Sequence, residues 1–139
     1  MSFALVRPYF RARCKVVGLT EHVDAFNNDN IPSTIIDKAF HLGAPGGSSR
    51  KLNQNDHEFD IDFEFSVYFK GYRNPSEGLD RAIETIETLV KEIEKPSNRL
   101  GTCLKNVVTQ SINFESLADS NDNAIRARIS CNIVTSLSL

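Results

Sequence analysis

Alternation of apolar and polar side chains is strongest over residues 58–70, EFDIDFEFSVYFK. Phe59, Ile61, Phe63, Phe65, Val67 and Phe69 alternate without a break with Glu58, Asp60, Asp62, Glu64, Ser66, Tyr68 and Lys70. Successive side chains of a strand point to opposite faces, so this period of two predicts a long strand with one apolar face that must be covered. The other face carries Asp60, Asp62 and Glu64 and is expected to meet water. A slip of one residue would bury all three carboxylates, which specifies the register tightly.

Two further alternating segments close the chain. In the first, Leu104, Asn106, Val108, Gln110, Ile112 and Phe114 oppose Cys103, Lys105, Val107, Thr109 and Ser111. In the second, Ile125, Ala127, Ile129, Cys131 and Ile133 oppose Ala124, Arg126, Arg128, Ser130 and Asn132. DSNDN (119–123) between them has the composition of a hairpin loop. Residues 35–42, IIDKAFHL, predict a shorter strand.

Helical periodicity occurs twice. Phe3, Val6, Phe10, Cys14 and Val17 recur at steps of three and four, while Arg7, Arg11 and Lys15 run along another side. Pro8 is tolerated in a first turn, so this helix is expected to begin near Arg7 and to stop at Gly18. The second helix starts at Pro75, with Asn74 as candidate N-cap, and ends at Pro96. Its stripe of Leu79, Ala82, Ile83, Ile86, Leu89, Val90 and Ile93 is wide enough to cover a sheet. Residues 19–34 read as a connecting loop. Residues 43–57, GAPGGSSRKLNQNDH, read as a flexible loop with almost nothing to bury.

The resulting order is helix, strand, strand, helix, strand, strand. It predicts a single α+β domain over residues 1–139, with an antiparallel or mixed four-stranded sheet and helices packed on one face. A chain of 139 residues with 40% hydrophobic and 24% charged side chains suits one domain with a real core. The net charge of -2 gives no general attraction to nucleic acid or an anionic membrane. Cys14, Cys103 and Cys131 are odd in number and lack a CxxC spacing, which argues for reduced, buried thiols and against a disulfide framework or a zinc site. The N-terminal MSFALVRPYFRARCKVVG lacks the pattern of a secretory leader, because its apolar stretch is short and is interrupted by Arg7 and Pro8. A cytoplasmic protein is expected, one that leaves the cell only as part of something larger.

Candidate chemistry is sparse. Asp60, Asp62 and Glu64 point one way at intervals of about 7 Å. Such a row offers oxygen ligands for Mg²⁺ or Ca²⁺ and would suit a metal-dependent enzyme. The simpler reading is a solvated face balanced by Arg126 and Arg128 on the last strand. A lysine two residues after Glu64, as metal-dependent nucleases have it, is replaced by Ser66. His22, His41 and His57 have no metal-binding spacing. Ser48 and Ser49 lack a GxSxG elbow, and APGGSSRK, with Gly46, Gly47, Arg50 and Lys51, lacks the order of a phosphate-binding loop. Arg7, Arg11, Arg13 and Lys15 form the one basic cluster. It lacks interleaved stacking aromatics and suits a solvated face or an acidic neighbour better than nucleic acid. No catalytic, metal or cofactor group rises above background.

Several segments together resemble the tail terminator proteins of long-tailed bacteriophages. They are FHLG (40–43), NQND (53–56), VYFKGY (67–72), LDRAIETIETLVKEI (79–93) and SNDNAIRARISCNIV (120–134). The likeness covers most of the chain from Ile35 onward and lies in patterns and in the order of elements. It implies a small α+β subunit without enzymatic activity or cofactor. Such a subunit forms a ring, hexameric in that family, on the last ring of the tail tube. The ring stops tube growth and offers a surface for head attachment. The implied partners are copies of the chain, the tail tube protein and a head-completion or neck protein. DNA would pass through the lumen without specific binding, and no membrane is involved. The implied location is the virion tail, after assembly in the host cytoplasm. The resemblance also implies that the 43–57 loop becomes ordered, or reaches a neighbour, on assembly. In such a ring, a lumen lined by Asp60, Asp62 and Glu64 is expected to repel passing DNA; alternatively, Arg126 and Arg128 neutralise that face or contact an adjacent subunit. Another head–tail connector or neck component would share this size and logic.

Overall fold

A computed structural model describes residues 2–21, 37–52, 56–70, 75–100, 102, 104–117 and 124–138. These residues form an α+β domain in the order α1 (Ser2–Val16), β1 (Thr20–Glu21), β2 (Ala39–Leu42), β3 (Gly46–Lys51), β4 (Asp56–Phe69), α2 (Pro75–Glu94), a 3₁₀ turn (Pro96–Arg99), β5 (Leu104–Leu117) and β6 (Ala124–Ser138). The expected segments 119–123 and most of 19–34, together with Asn74, His22 and Cys103, lie outside the described residues.

Among the described residues the sheet has six strands, not four. Its order is β1-β2-β4-β6-β5, with β3 paired to β4 beside β2. The sheet is mixed: β1 runs parallel to β2, and every other pairing is antiparallel. The expected alternation of residues 58–70 is realised in β4. Ile61, Phe63, Phe65, Val67 and Phe69 are buried on one face and pair with the matching positions of β6, Ile133 through Ile125.

Both helices cover that apolar face. Val6, Phe10 and Cys14 of α1 and Ala82, Ile86, Leu89 and Ile93 of α2 join the same core as the β4 and β6 residues. The ring of Phe10 lies 4.7 Å from that of Phe63 and 5.4 Å from that of Phe65, centroid to centroid. Tyr9 adds a polar lock between the helices: its buried hydroxyl donates to the Ile93 carbonyl at 2.5 Å, one of the carbonyls that the end of α2 leaves without a helical partner. Beside it, Arg13 pairs with Glu92 at 3.1 Å.

Thr20 and Glu21, expected at the start of a 19–34 loop, form β1 instead, and four further expectations need correction. First, α1 begins at Ser2 and runs through Pro8. The proline ring is exposed and costs the helix one N–H, while Val6, Tyr9 and Phe10 on the inner side are held by the core. Second, residues 43–57 are not one loop. Gly46–Lys51 forms β3 along β4, and Asp56–His57 belong to β4. Gly47 permits the close approach: its φ is 153°, and a Cβ there would stand 2.1 Å from the Asp60 carbonyl oxygen. Third, β5 does not alternate evenly. Irregularities between Leu104 and Asn106 and between Thr109 and Ser111 shift the register, so Leu104, Val107, Thr109, Ile112 and Phe114 share the core side. Fourth, the expected strand over 35–42 is shorter, because Asp37 and Lys38 form a turn, with Lys38 at φ 55°, before β2 begins at Ala39. The stop at Gly18 is as expected: its φ is 90°, and Leu19 N–H reaches back to the Cys14 carbonyl.

Cys14 and Cys131 are buried free thiols, and burial pushes each up to about 12, so neither ionises near neutral pH. Thr135 is fully buried on the core side, and its hydroxyl has no hydrogen-bond partner among the described residues.

Two stability predictions follow from this packing. Phe10→Ala removes a ring wedged between both layers and should cost about 3–5 kcal/mol in urea unfolding. Thr135→Val replaces an unsatisfied hydroxyl with a methyl of the same shape, and should leave stability unchanged or raise it by about 1 kcal/mol.

Candidate functional site

The face of the sheet opposite the helices is built from the polar positions of β2, β4, β6 and β5. Among the described residues no helix lies on it. Its character changes along the strands. At the β3 end Asp60 and Asp62 are exposed, as are Asn106 and Val108 of β5. At the other end Ser66, Tyr68, Ala124 and Arg126 are buried, with His41 of β2 beside Ser66. Tyr68 and Ala124 form a small apolar cluster separate from the main core.

The expected row of carboxylates is present, but its three members have different partners. The Asn132 side-chain amide donates to Asp60 Oδ1 and, at 3.3 Å, to Asp62 Oδ1. Asn132 stands opposite Asp62 in the β4–β6 ladder, so one neutral amide lies between two carboxylates. Glu64 instead meets Arg128, whose Nε is 3.7 Å from its Oε1. Among the described residues no group of three or more His, Cys, Asp or Glu side chains could hold a metal ion.

Arg126 and Arg128 do not simply balance the β4 row. Both turn towards Glu115 of β5, which stands opposite Arg126 in the β5–β6 ladder. Arg126 Nη2 reaches Glu115 Oε2 at 2.5 Å and its Nε reaches the same oxygen at 3.2 Å. Arg128 Nε is 3.7 Å from Glu115 Oε1 and so lies between Glu115 and Glu64. The result is a chain of alternating charge across three strands: Glu64, Arg128, Glu115, Arg126. Glu115 does not stand out in the sequence, because the apolar alternation of that strand ends at Phe114. Ser116 and Leu117 continue the strand, and the two irregularities hide its parity.

The electrostatics follow from this geometry. The hydrogen bond from Arg126 pulls the Glu115 carboxyl below its usual range, against a smaller opposing effect of burial, and the charges of Arg126 and Arg128 add to the lowering. A second pair does the same on α1, where Arg11 holds Glu21 of β1 at 2.7 Å and lowers its carboxyl. Arg11 and Arg13 of the expected basic stripe are therefore occupied by Glu21 and Glu92.

The segment singled out around Gly46, Gly47, Arg50 and Lys51 is the edge strand β3. Ser48 stands opposite Asp60, Arg50 opposite Glu58 and Lys51 opposite His57. Gly46 through Ser49 and Lys51 are exposed, and among the described residues β3 pairs with β4 alone. The structure thus brings the β3 segment and the Asp60–Asp62 pair together at one end of the sheet. It places Arg126, with Tyr68, at the other end.

No protein-family model matches the chain, and no curated protein matches it. No described helix is long and apolar enough to cross a membrane.

A pH prediction comes from the two depressed carboxyls. Each has a lower pKa folded than unfolded, so each contributes stability that is fully present above the unfolded value near 4.5. That contribution is lost as pH falls through the folded value. The chain should therefore lose stability as pH drops below about 4.5. Glu115→Gln should be less stable at neutral pH and should lose less on acidification. Thermal unfolding at a series of pH values reads both effects.

Proposed function

We propose that this chain is the ring-forming subunit of a phage tail terminator. Copies assemble on the end of the tail tube, stop its polymerisation and present the surface to which the head is joined. The reading has two supports. One is the resemblance carried by FHLG, VYFKGY, the α2 segment and the closing strand. The other, which carries most weight, is a two-layer fold with one face of its sheet free of described helices and two exposed carboxylates at one end of that face.

A sheet with both described helices on one face, and with Asp60 and Asp62 exposed on the other, gives the subunit two unlike surfaces. That suits a ring, whose inner and outer walls meet different surroundings. A lumen lined by Asp60, Asp62 and the partly exposed Glu64 would repel DNA phosphates and let the genome slide without specific contacts. The ring contact is heterologous and closes by rotation, with six copies as the expected number. The partners are then sister subunits, the tail tube protein and a head-completion or neck protein. The protein works in the host cytoplasm during assembly and resides in the virion tail. It needs no cofactor and catalyses no reaction.

Adding the purified chain to growing tubes of its own tail tube protein tests this. Expected are tubes that stop elongating, with a ring of this chain visible at one end by electron microscopy. Tubes that elongate at an unchanged rate with bare ends would refute it.

A further inference from the structure

β5 is an outer strand whose one described neighbour is β6. Outer strands present unpaired backbone N–H and C=O groups that pair readily with another strand. In this chain part of that row is already occupied by side chains. Glu94, the last residue of α2, accepts a hydrogen bond from the Thr109 N–H through Oε1 at 3.1 Å. Arg99, the last residue of the 3₁₀ turn, donates from Nη1 to the Lys105 carbonyl at 2.7 Å and to Asn106 Oδ1 at 3.3 Å. Both contacts fall beside the two irregularities of β5. The first half of the strand is therefore held by one corner of the molecule, where α2 passes into the 3₁₀ turn. From Ser111 to Leu117 the strand runs regularly along β6.

The opposite side of the sheet offers a match. β3 is antiparallel to β4, β4 to β6 and β6 to β5. These three reversals leave β3 and β5 running in opposite directions. The β3 edge of one copy can thus lie antiparallel along the β5 edge of another without either copy turning over, and the contact repeats head to tail. Glu94 and Arg99 are both half-buried, and Arg99 Nε, buried without a hydrogen-bond partner among the described residues, gains water when the side chain swings out.

We propose that Glu94 and Arg99 form a latch that closes the Lys105–Thr109 half of the β5 edge in the solitary chain, and that its release frees the full length of the edge for β3 of a second copy to add as the next strand. The proposal rests on the reading of the chain as a self-assembling subunit. It explains how such a subunit can carry two complementary edges and stay single until it meets its site of assembly.

The test compares the full chain with the Glu94→Ala, Arg99→Ala double variant by light scattering over a concentration series. Circular dichroism confirms that each is folded. If the double variant unfolds, each single variant, which loses one contact site, takes its place. The latch-open protein should associate at concentrations at least about tenfold below those of the parent. Glu94→Gln keeps an acceptor oxygen and should behave as the parent. Neighbouring strand residues turn their N–H groups to opposite edges, so one of Ser48→Pro and Ser49→Pro, added to the double variant, removes an outward β3 donor. That proline should reverse the association while amide exchange shows the β3–β4 ladder intact. A folded latch-open protein that associates no more readily than the parent, or equally well with either proline, overturns the proposal. The two readings fail separately. A parent that caps tubes beside an inert latch-open variant sinks the latch alone. A latch-open variant that associates through β3, beside a parent that caps nothing, sinks the terminator alone.

Discussion

The antiparallel ladder between β4 and β6 is the constraint on which the other features depend. All fourteen residues of β4 pair with β6, from Asp56 opposite Ser138 to Phe69 opposite Ile125, without an irregularity. Side chains alternate across a strand, so an unbroken ladder of this length sorts every residue of both strands onto one of two faces. Ile61, Phe63, Phe65, Val67 and Phe69, with Ile125, Ala127, Ile129, Cys131 and Ile133, face the helices, and Asp60, Asp62 and Glu64 face away. Shifting the pairing by one residue would place three carboxylates beneath Phe10 and α2. Desolvating charge on that scale exceeds the whole stability of a domain of this size.

The ladder also explains why the rest of the sheet can be irregular. β4 lends its second edge to β2 and β3 in turn, and β6 lends its second edge to β5. β5 then takes up two irregularities without disturbing the core, because Glu94 and Arg99 engage backbone groups in that stretch. The polar face is tied across the strands by Asn132 and by the Glu64, Arg128, Glu115 and Arg126 chain of charge. The partly exposed Arg128 pairs contribute little each, and the pair of buried Arg126 with Glu115 is the better shielded one; together they fix how the strands lie against one another.

The parts of this architecture visible in the sequence are those written in apolar periodicity. β4, β6 and α2 show unbroken patterns, and the helix stop at Gly18 follows from a single residue. What was hidden lacked such a pattern. β3 has no large apolar side chain, and its pairing is supplied by β4 and by the close approach at Gly47. β5 changes parity twice within six residues, so neither of its two evenly alternating sets is the core set: Leu104 and Ile112 of one share the core side with Val107 and Thr109 of the other. α1 continues across Pro8 because Val6, Tyr9 and Phe10 are anchored by the opposite layer, a tertiary effect that local rules cannot carry. Of the proposed site, the carboxylate row and the two arginines were legible. Glu115 became visible only with the register of β5, and the paired state of Asp60 and Asp62 only with the register of β6.

Native-state amide exchange across the whole chain tests the central claim most directly. If the β4–β6 ladder fixes the fold, amides of residues 61–67 and 127–133 should exchange slowest and together, only when the whole domain unfolds, while β3 opens more easily. Slow exchange confined to α2, with β4 and β6 opening independently of each other, would contradict the account.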